Sequence, residues 1–555
     1  MPVPPRETAI GFHPFHWIPG ILLATTLSLG CRTPAPKLGD SVLPADSGGS
    51  PTRESGRGTR ESGRDSADPD SDVDGRDTAP EDRDGDGFTT TTDCNDADPS
   101  VHPGAPEGCD QIDQDCDGTS TICTVGEATV TVTGSSTAGF ASTLQPAGDV
   151  DGDGRNDLLV GTYGWDRGPD GSGSLIDLVL GSSLAPGEYP TDAVTQVEFA
   201  DQNPEPVYIY PDSACPVGDL DGDGLADLVL RGDRDDHAGL GVFYGSQFKT
   251  AGSTMSESDA AVWVAAGENS PGWYEGSVVG DVDGDGLAEF SIVTAGAGTV
   301  VVKPRLLQSV VSVDDAVGWT FDSELTLRSA GDLDGDGLVD IVGVAAGWTH
   351  GTLLMGWLSG TLEASPNVTG DSADFSFAAS GSESSISEAR GVGDVDGDGH
   401  GDLAAVIGLE DDSTDVTLWE APTACGTYST TATADLRVES DAGFMPYTVA
   451  GLGDIDSDGL ADLGLGLQQV ADPLIGAFGI FRGADLPRKG TIYPEAANWI
   501  AYGEGFERYP GATIADEVGD IDGDGTTDVV AGTDGAVFEW TGTALLETMG
   551  VVPPR

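Results

Sequence analysis

The chain has 555 residues, among them 82 glycines and 33 prolines, and sets 24 Lys and Arg against 95 Asp and Glu, a formal net charge of −71. Such a charge repels nucleic acid and anionic membrane surfaces, which excludes both as partners. Gly and Pro recur at short intervals between Val-, Leu- and Ile-rich runs, which excludes a helical protein and predicts an all-β chain with many tight turns.

Residues 1–30 read as an export signal. Arg6 precedes an apolar stretch from Ile18 to Leu29, too short to span a bilayer as a permanent helix. Its end, Leu27-Ser28-Leu29-Gly30-Cys31, resembles the bacterial lipoprotein signal, although Ser28 stands where that family prefers Leu and Leu29 where it prefers a small residue. The resemblance implies that Cys31 is lipidated and becomes the mature N-terminus, and that the protein touches the membrane only through this anchor. Arg32 follows the cysteine where Asp is absent, which implies the outer membrane or surface of a bacterium. Residues 31–80 are rich in Ser, Gly, Asp, Arg and Pro, with a tandem copy of Thr52–Arg57 at Thr59–Arg64. No core forms from this composition, so a disordered tether is expected.

Residues 81–123 carry four cysteines, Cys94, Cys109, Cys116 and Cys123, interleaved with acids. In an exported chain they suggest two disulfides of open connectivity. Asp82, Asp84 and Asp86 hold positions 1, 3 and 5 of an EF-hand-like loop, with Gly87 at position 6 and Asp93 at position 12. A weaker run is Asp113, Asp115 and Asp117 before Gly118. The hard oxygen donors point to one or two calcium ions, and the C-x-x-C spacing of structural zinc sites is absent. The block from Asp82 to Gly118 resembles the metal-binding motif of MopE-like bacterial surface proteins and, more loosely, the thrombospondin type 3 repeat.

Beyond residue 140 the pattern G-D-x-D-x-D-G-x-x-[DE] recurs seven times, at intervals of 70, 62, 51, 62, 60 and 66 residues. Spacing this regular marks a repeat architecture. Each copy sets carboxylates at positions 1, 3, 5 and 9. The first four copies hold Asp149, Asp151, Asp153 and Asp157; Asp219, Asp221, Asp223 and Asp227; Asp281, Asp283, Asp285 and Glu289; and Asp332, Asp334, Asp336 and Asp340. The last three hold Asp394, Asp396, Asp398 and Asp402; Asp454, Asp456, Asp458 and Asp462; and Asp520, Asp522, Asp524 and Asp528. Four carboxylates roughly 5 Å apart form six like-charge pairs, each costing about 3 kcal/mol at an effective dielectric of about 20. A divalent cation reverses that sign, and the oxygen-only donor set suits Ca²⁺. About seven ions are expected in this region, offsetting 7 × 2 = 14 of the 71 negative charges.

Position 9 runs straight into apolar stretches such as Leu158-Leu159-Val160 and Val529-Val530-Ala531, so each loop is expected to join two strands of a hairpin. A third strand follows in every repeat and a fourth precedes the next, the arithmetic of a seven-bladed β-propeller over residues 124–549. The repeat resembles the FG-GAP/VCBS family, the blades of the integrin α-subunit head, which implies Ca²⁺ in the hairpin loops. Repeat seven stops soon after its third strand, while Ala128-Thr129-Val130-Thr131-Val132 stands before repeat one without a blade. This N-terminal strand is expected to complete the last blade.

Other signals carry less. Arg231-Gly232-Asp233 continues a predicted strand, Asn367-Val368-Thr369 is an incidental sequon, and Cys215 and Cys425 are expected to be buried thiols. No nucleophile elbow, phosphate loop or H-E-x-x-H is present, so a non-enzymatic role is expected. The functional expectation is a calcium-binding cell-surface protein whose propeller binds a protein or glycan ligand. The alternative is a calcium-dependent polysaccharide lyase or hydrolase on the same scaffold.

Overall fold

The computed structural model describes residues 82–549 apart from short internal stretches, the longest being 163–174, 201–213 and 504–512. Cys31, the tether, Asp86, Cys109 and Cys425 lie outside the described residues. Seven antiparallel sheets follow one another along the chain. In the first, Thr143–Gly148, Asp157–Thr162, Leu175–Val179 and Thr195–Ala200 pair in sequence order. The first strands of successive sheets pack against one another, so they line the centre of a ring and the sheets radiate from it as blades. The chain is a seven-bladed propeller.

Closure runs as the sequence predicts. The last repeat contributes Thr513–Ile514, Val529–Gly532 and Ala536–Trp540, and Val130–Thr133 pairs antiparallel with Ala536–Trp540 as the fourth strand. Seven apolar clusters fill the seven gaps between blades. One joins Val130 and Val132 to Val530, Val537, Leu158 and Val160, so the two ends of the chain share a core.

Because each blade is covered on both faces, its middle strands do not alternate between apolar and polar residues. Asp157–Thr162, Gly476–Phe481 and Ala536–Trp540 are buried at every position, and unbroken apolar runs are what two-sided burial requires. Large side chains such as Trp357, Phe478 and Trp499 are enclosed, each contributing roughly 1.5–3 kcal/mol by leaving water.

A fifth, parallel strand was not legible in the sequence. Between its third and fourth strands each repeat sends a short strap backward onto the outer strand of the preceding blade. Ser253–Met255 lies on Thr195–Ala200, Asn367–Val368 on Val317–Phe321, Gly426–Ser429 on Phe375–Ala378, and Gly490–Ile492 on Leu436–Val438. Gly187–Pro190 straps Val130–Thr133, and blade two has a single parallel bridge from Ala265 to Ser312. Blade seven supplies its strap from the N-terminus as well: Cys123–Thr124 pairs with Trp499–Tyr502 of blade six.

Candidate metal sites

All seven acidic loops join the first and second strands of a blade, and each folds through side-chain to backbone hydrogen bonds confined to nine residues. The position 1 carboxylate takes the N–H of the position 6 glycine on Oδ2, at 2.8–2.9 Å in every loop. Asp151 and its counterparts at position 3 accept from the position 5 N–H through Oδ1. Position 5 accepts from the position 7 N–H, as Asp153 does from Arg155 at 2.9 Å. These bonds need left-handed backbone at position 6, where Gly154 has φ +88°, a region open to glycine at little steric cost. At position 4 only Ser457 carries a side chain, at φ +61°.

This folding draws the carboxylates together. Oxygens of Asp149, Asp151 and Asp157 lie within 4.8 Å of one another, as do those of Asp219, Asp221 and Asp227, and those of Asp281, Asp283 and Asp285. Such crowding of like charge is stable only beside a cation or with protons bound.

Position 9 has a second role. Its Oδ2, or Oε2 in Glu289, accepts the position 2 N–H at 2.7–2.9 Å in all seven loops. In five blades its Oδ1 also accepts an N–H from just beyond the third strand: Gly181 on Asp157, Gly245 on Asp227, Ser359 on Asp340, Gly483 on Asp462 and Gly542 on Asp528, at 2.7–2.9 Å. The buried position 9 carboxylate therefore ties its loop to the turn that follows the third strand, at the same end of the blade. Burial, above all, pushes Asp157, Asp340, Asp462 and Asp528 up to about 7 and Glu289 to about 8, and it raises Asp227.

The glycines among these donors were missed in the sequence, although Gly181, Gly245, Gly483 and Gly542 recur at the same place after four of the seven third strands. A Cβ on Gly181 would stand 2.5 Å from the carbonyl oxygens of Asn156 and Ile521, so the residue sits wedged between two neighbouring loops. The loops of adjacent blades thus share one face of the ring. Also missed were basic residues placed over position 3: Lys303 on Asp283 at 2.7 Å, and Arg482 on Asp456, with its Nε at 2.5 Å.

The cysteine-rich segment builds the same loop. Asp82 accepts from Gly85 at 2.8 Å and Gly87 at 3.2 Å, and Asp84 lies between Asp82 and Gly85 in sequence. In the run expected to be weaker, Asp113 accepts from Asp117 at 3.0 Å and Gly118 at 2.8 Å, and Asp113, Asp115 and Asp117 gather their oxygens. Asp93 is buried, accepts from Asn95 at 2.8 Å, and has no hydrogen-bond partner for Oδ2 among the described residues. Cys94 and Cys116 form a disulfide. Of the two expected bridges this is the one among the described residues. Cys215 is a buried free thiol, and Arg231, Gly232 and Asp233 lie within the strand Asp227–Arg234.

Two family models match. Residues 93–120 match the metal-binding motif Cu-binding_MopE, and residues 140–176 match the FG-GAP repeat. The propeller thus carries one segment similar to the FG-GAP repeat, preceded by a segment similar to the MopE metal-binding motif. No curated protein matches it. Among solved structures it is similar to BBS1N in complex with ARL6DN, with 9% identity over 72% of this chain and 93% of that one and a TM-score of 0.39. It is similar to the WD40 domain of Toxoplasma gondii coronin, with 10% identity over 71% of this chain and 79% of that one and a TM-score of 0.38. A third likeness is to rhamnogalacturonan lyase YesW, with 15% identity over 73% and 72% and a TM-score of 0.32.

Proposed function

We propose that this propeller is a calcium-dependent binding module, held at the surface of a bacterium by an acylated Cys31 and presenting a protein or glycan ligand site. The observation that carries the reading is the sevenfold recurrence of one oxygen-lined loop, each with three or four carboxylates drawn together on one face of the ring. Calcium is favoured over softer metals by the donors. Copper draws imidazole, thioether and thiolate ligands, whereas these loops offer carboxylates, and Cys94 and Cys116 are already joined. Calcium holds the loops, and thereby the blades, in register. The ligand site then lies on loops away from them.

Calcium added to EDTA-stripped protein should bind in several equivalents and raise the melting temperature by many degrees, since a ligand of the folded state stabilises it by mass action. An unchanged melt would sink the calcium reading. Screening the same protein on polysaccharides and on a protein array, with and without calcium, tests the binding role. Bond cleavage in the polysaccharide arm would make the chain an enzyme instead.

A further inference from the structure

The seven loops share a backbone but not their surroundings. In blades three and six, the residue immediately after the third strand is basic, and it reaches the position 3 carboxylate of its own loop. Lys303 Nζ lies 2.7 Å from Asp283 Oδ2 and 4.3 Å from the centroid of the Trp319 ring. Arg305 reinforces it, with Nε 2.5 Å from Asp285 Oδ2 and Nη2 2.8 Å from the Asp285 carbonyl oxygen. In blade six, Arg482 pairs with Asp456 through Nε and Nη2 and with Asp485 through Nη1 at 3.0 Å. The side chain of Asp456 is 1% exposed there.

At the same place the other blades carry Leu180, Tyr244, Leu358, Glu420 and Thr541. Where position 5 of those loops has a further partner, it is a neutral hydroxyl: Ser359 on Asp336 at 3.0 Å and Thr543 on Asp524 at 2.6 Å. Loop five meets a cation in Arg488, 3.5 Å from Asp396, but that side chain is 52% exposed and comes from the following repeat. A solvated contact of this kind is readily displaced.

We propose that loops three and six hold a cation of the protein itself in place of the divalent ion, so that the ring takes up five divalent ions tightly rather than seven. The inference rests on the calcium reading of the loops. A tethered ammonium or guanidinium competes at high effective concentration. A divalent ion entering loop six would have to take Asp456 from a guanidinium held on two sides, then remain beside that displaced positive charge. Arg cannot shed its proton to relieve the repulsion.

The test is a calcium titration of the full-length protein by equilibrium dialysis, comparing the number of tight sites. Asp149→Asn should lose one tight ion, whereas Asp281→Asn and Asp454→Asn should lose none. The double variant K303M/R482M, which keeps the aliphatic stems, should gain two tight ions, with affinity at those loops rising at least tenfold. The N-terminal segment contributes equally in every variant and cancels. Loss of one tight ion in all three Asp→Asn variants would overturn the inference while leaving the calcium reading intact. No uptake by the unaltered protein would overturn both. If the double variant fails to fold, the three Asp→Asn variants decide alone.

Discussion

The backbone N–H of Asn156, in the first acidic loop, donates to the carbonyl oxygen of Asp520, in the last, across 3.0 Å. The same link, from position 8 of one loop to position 1 of the loop before it, joins Ala226 to Asp149 at 2.9 Å, Val339 to Asp281 at 3.4 Å, Gly401 to Asp332 at 2.8 Å and Ala461 to Asp394 at 2.8 Å. Five of the seven junctions between neighbouring acidic loops carry this link, and the Asn156–Asp520 contact joins the first loop to the last. A cation that stiffens one loop stiffens the platform on which the next one rests.

Ring closure depends on the eleven residues from Cys123 to Thr133, at the N-terminal side of the propeller. Removing residues up to 133 takes away both the strap on blade six and the fourth strand of blade seven. The truncated chain should melt more than ten degrees lower, or not fold, in calcium and in EDTA alike. The milder Val132→Ala should cost about 2 kcal/mol, read from urea denaturation. A melt unchanged by the truncation would show that the ring does not need this strand.

Positions 5 and 9 separate metal binding from loop architecture. Asp153→Asn should lower the melting temperature in calcium but hardly in EDTA. Asp157→Asn should lower it in both, because the two buried oxygens of Asp157 accept backbone N–H groups from Val150 and Gly181 and an amide offers only one acceptor. The loss should be about 1–3 kcal/mol, the usual cost of a buried donor left unpaired. Equal responses of both variants to EDTA would contradict this division.

The spacing of the loops tolerates no side chain at the wedged glycine. Gly181→Ala places a Cβ against two carbonyl oxygens and should cost about 1–3 kcal/mol. Gly360→Ala, in the helix Ser359–Ala364 with open space around it, should instead be neutral or stabilising by up to about 1 kcal/mol. Chemical denaturation of the two variants side by side checks both signs.

Acid should stabilise the metal-free protein. Asp157, Asp340, Asp462 and Asp528 titrate near 7 in the folded chain, against about 4 when unfolded. The folded state binds more protons between those values, so stability falls as pH rises from about 4 to 7. In EDTA the melting temperature should therefore be several degrees higher at pH 5.5 than at pH 7.5. With saturating calcium the trend should reverse, because protons then compete with the ion. Parallel scans at the two pH values decide it.

The propeller was legible because its signals are local. A positive φ at Gly154, a carboxylate taking N–H groups three to five residues on, and an apolar run at once afterwards all lie within one hairpin. The orphan strand at Val130–Thr133 could be matched to the incomplete last repeat by counting. The straps were not legible: two or three residues such as Asn367–Val368 carry no pattern of their own, and what pairs them is the outer edge of a blade folded earlier in the chain.

The seven acidic loops, their hairpin setting and the way the ring closes were thus determined by the sequence itself, since each follows from residues within a few positions of one another or from a count of repeats. Tertiary structure alone decided what surrounds each loop. It placed Gly181 against Asn156 and Ile521, anchored Asp157 to the turn after the third strand of its blade, and laid Lys303 on Asp283 and Arg482 on Asp456. These contacts join residues from about 20 to more than 300 positions apart, and packing of blade against blade brings them together where no local periodicity records it.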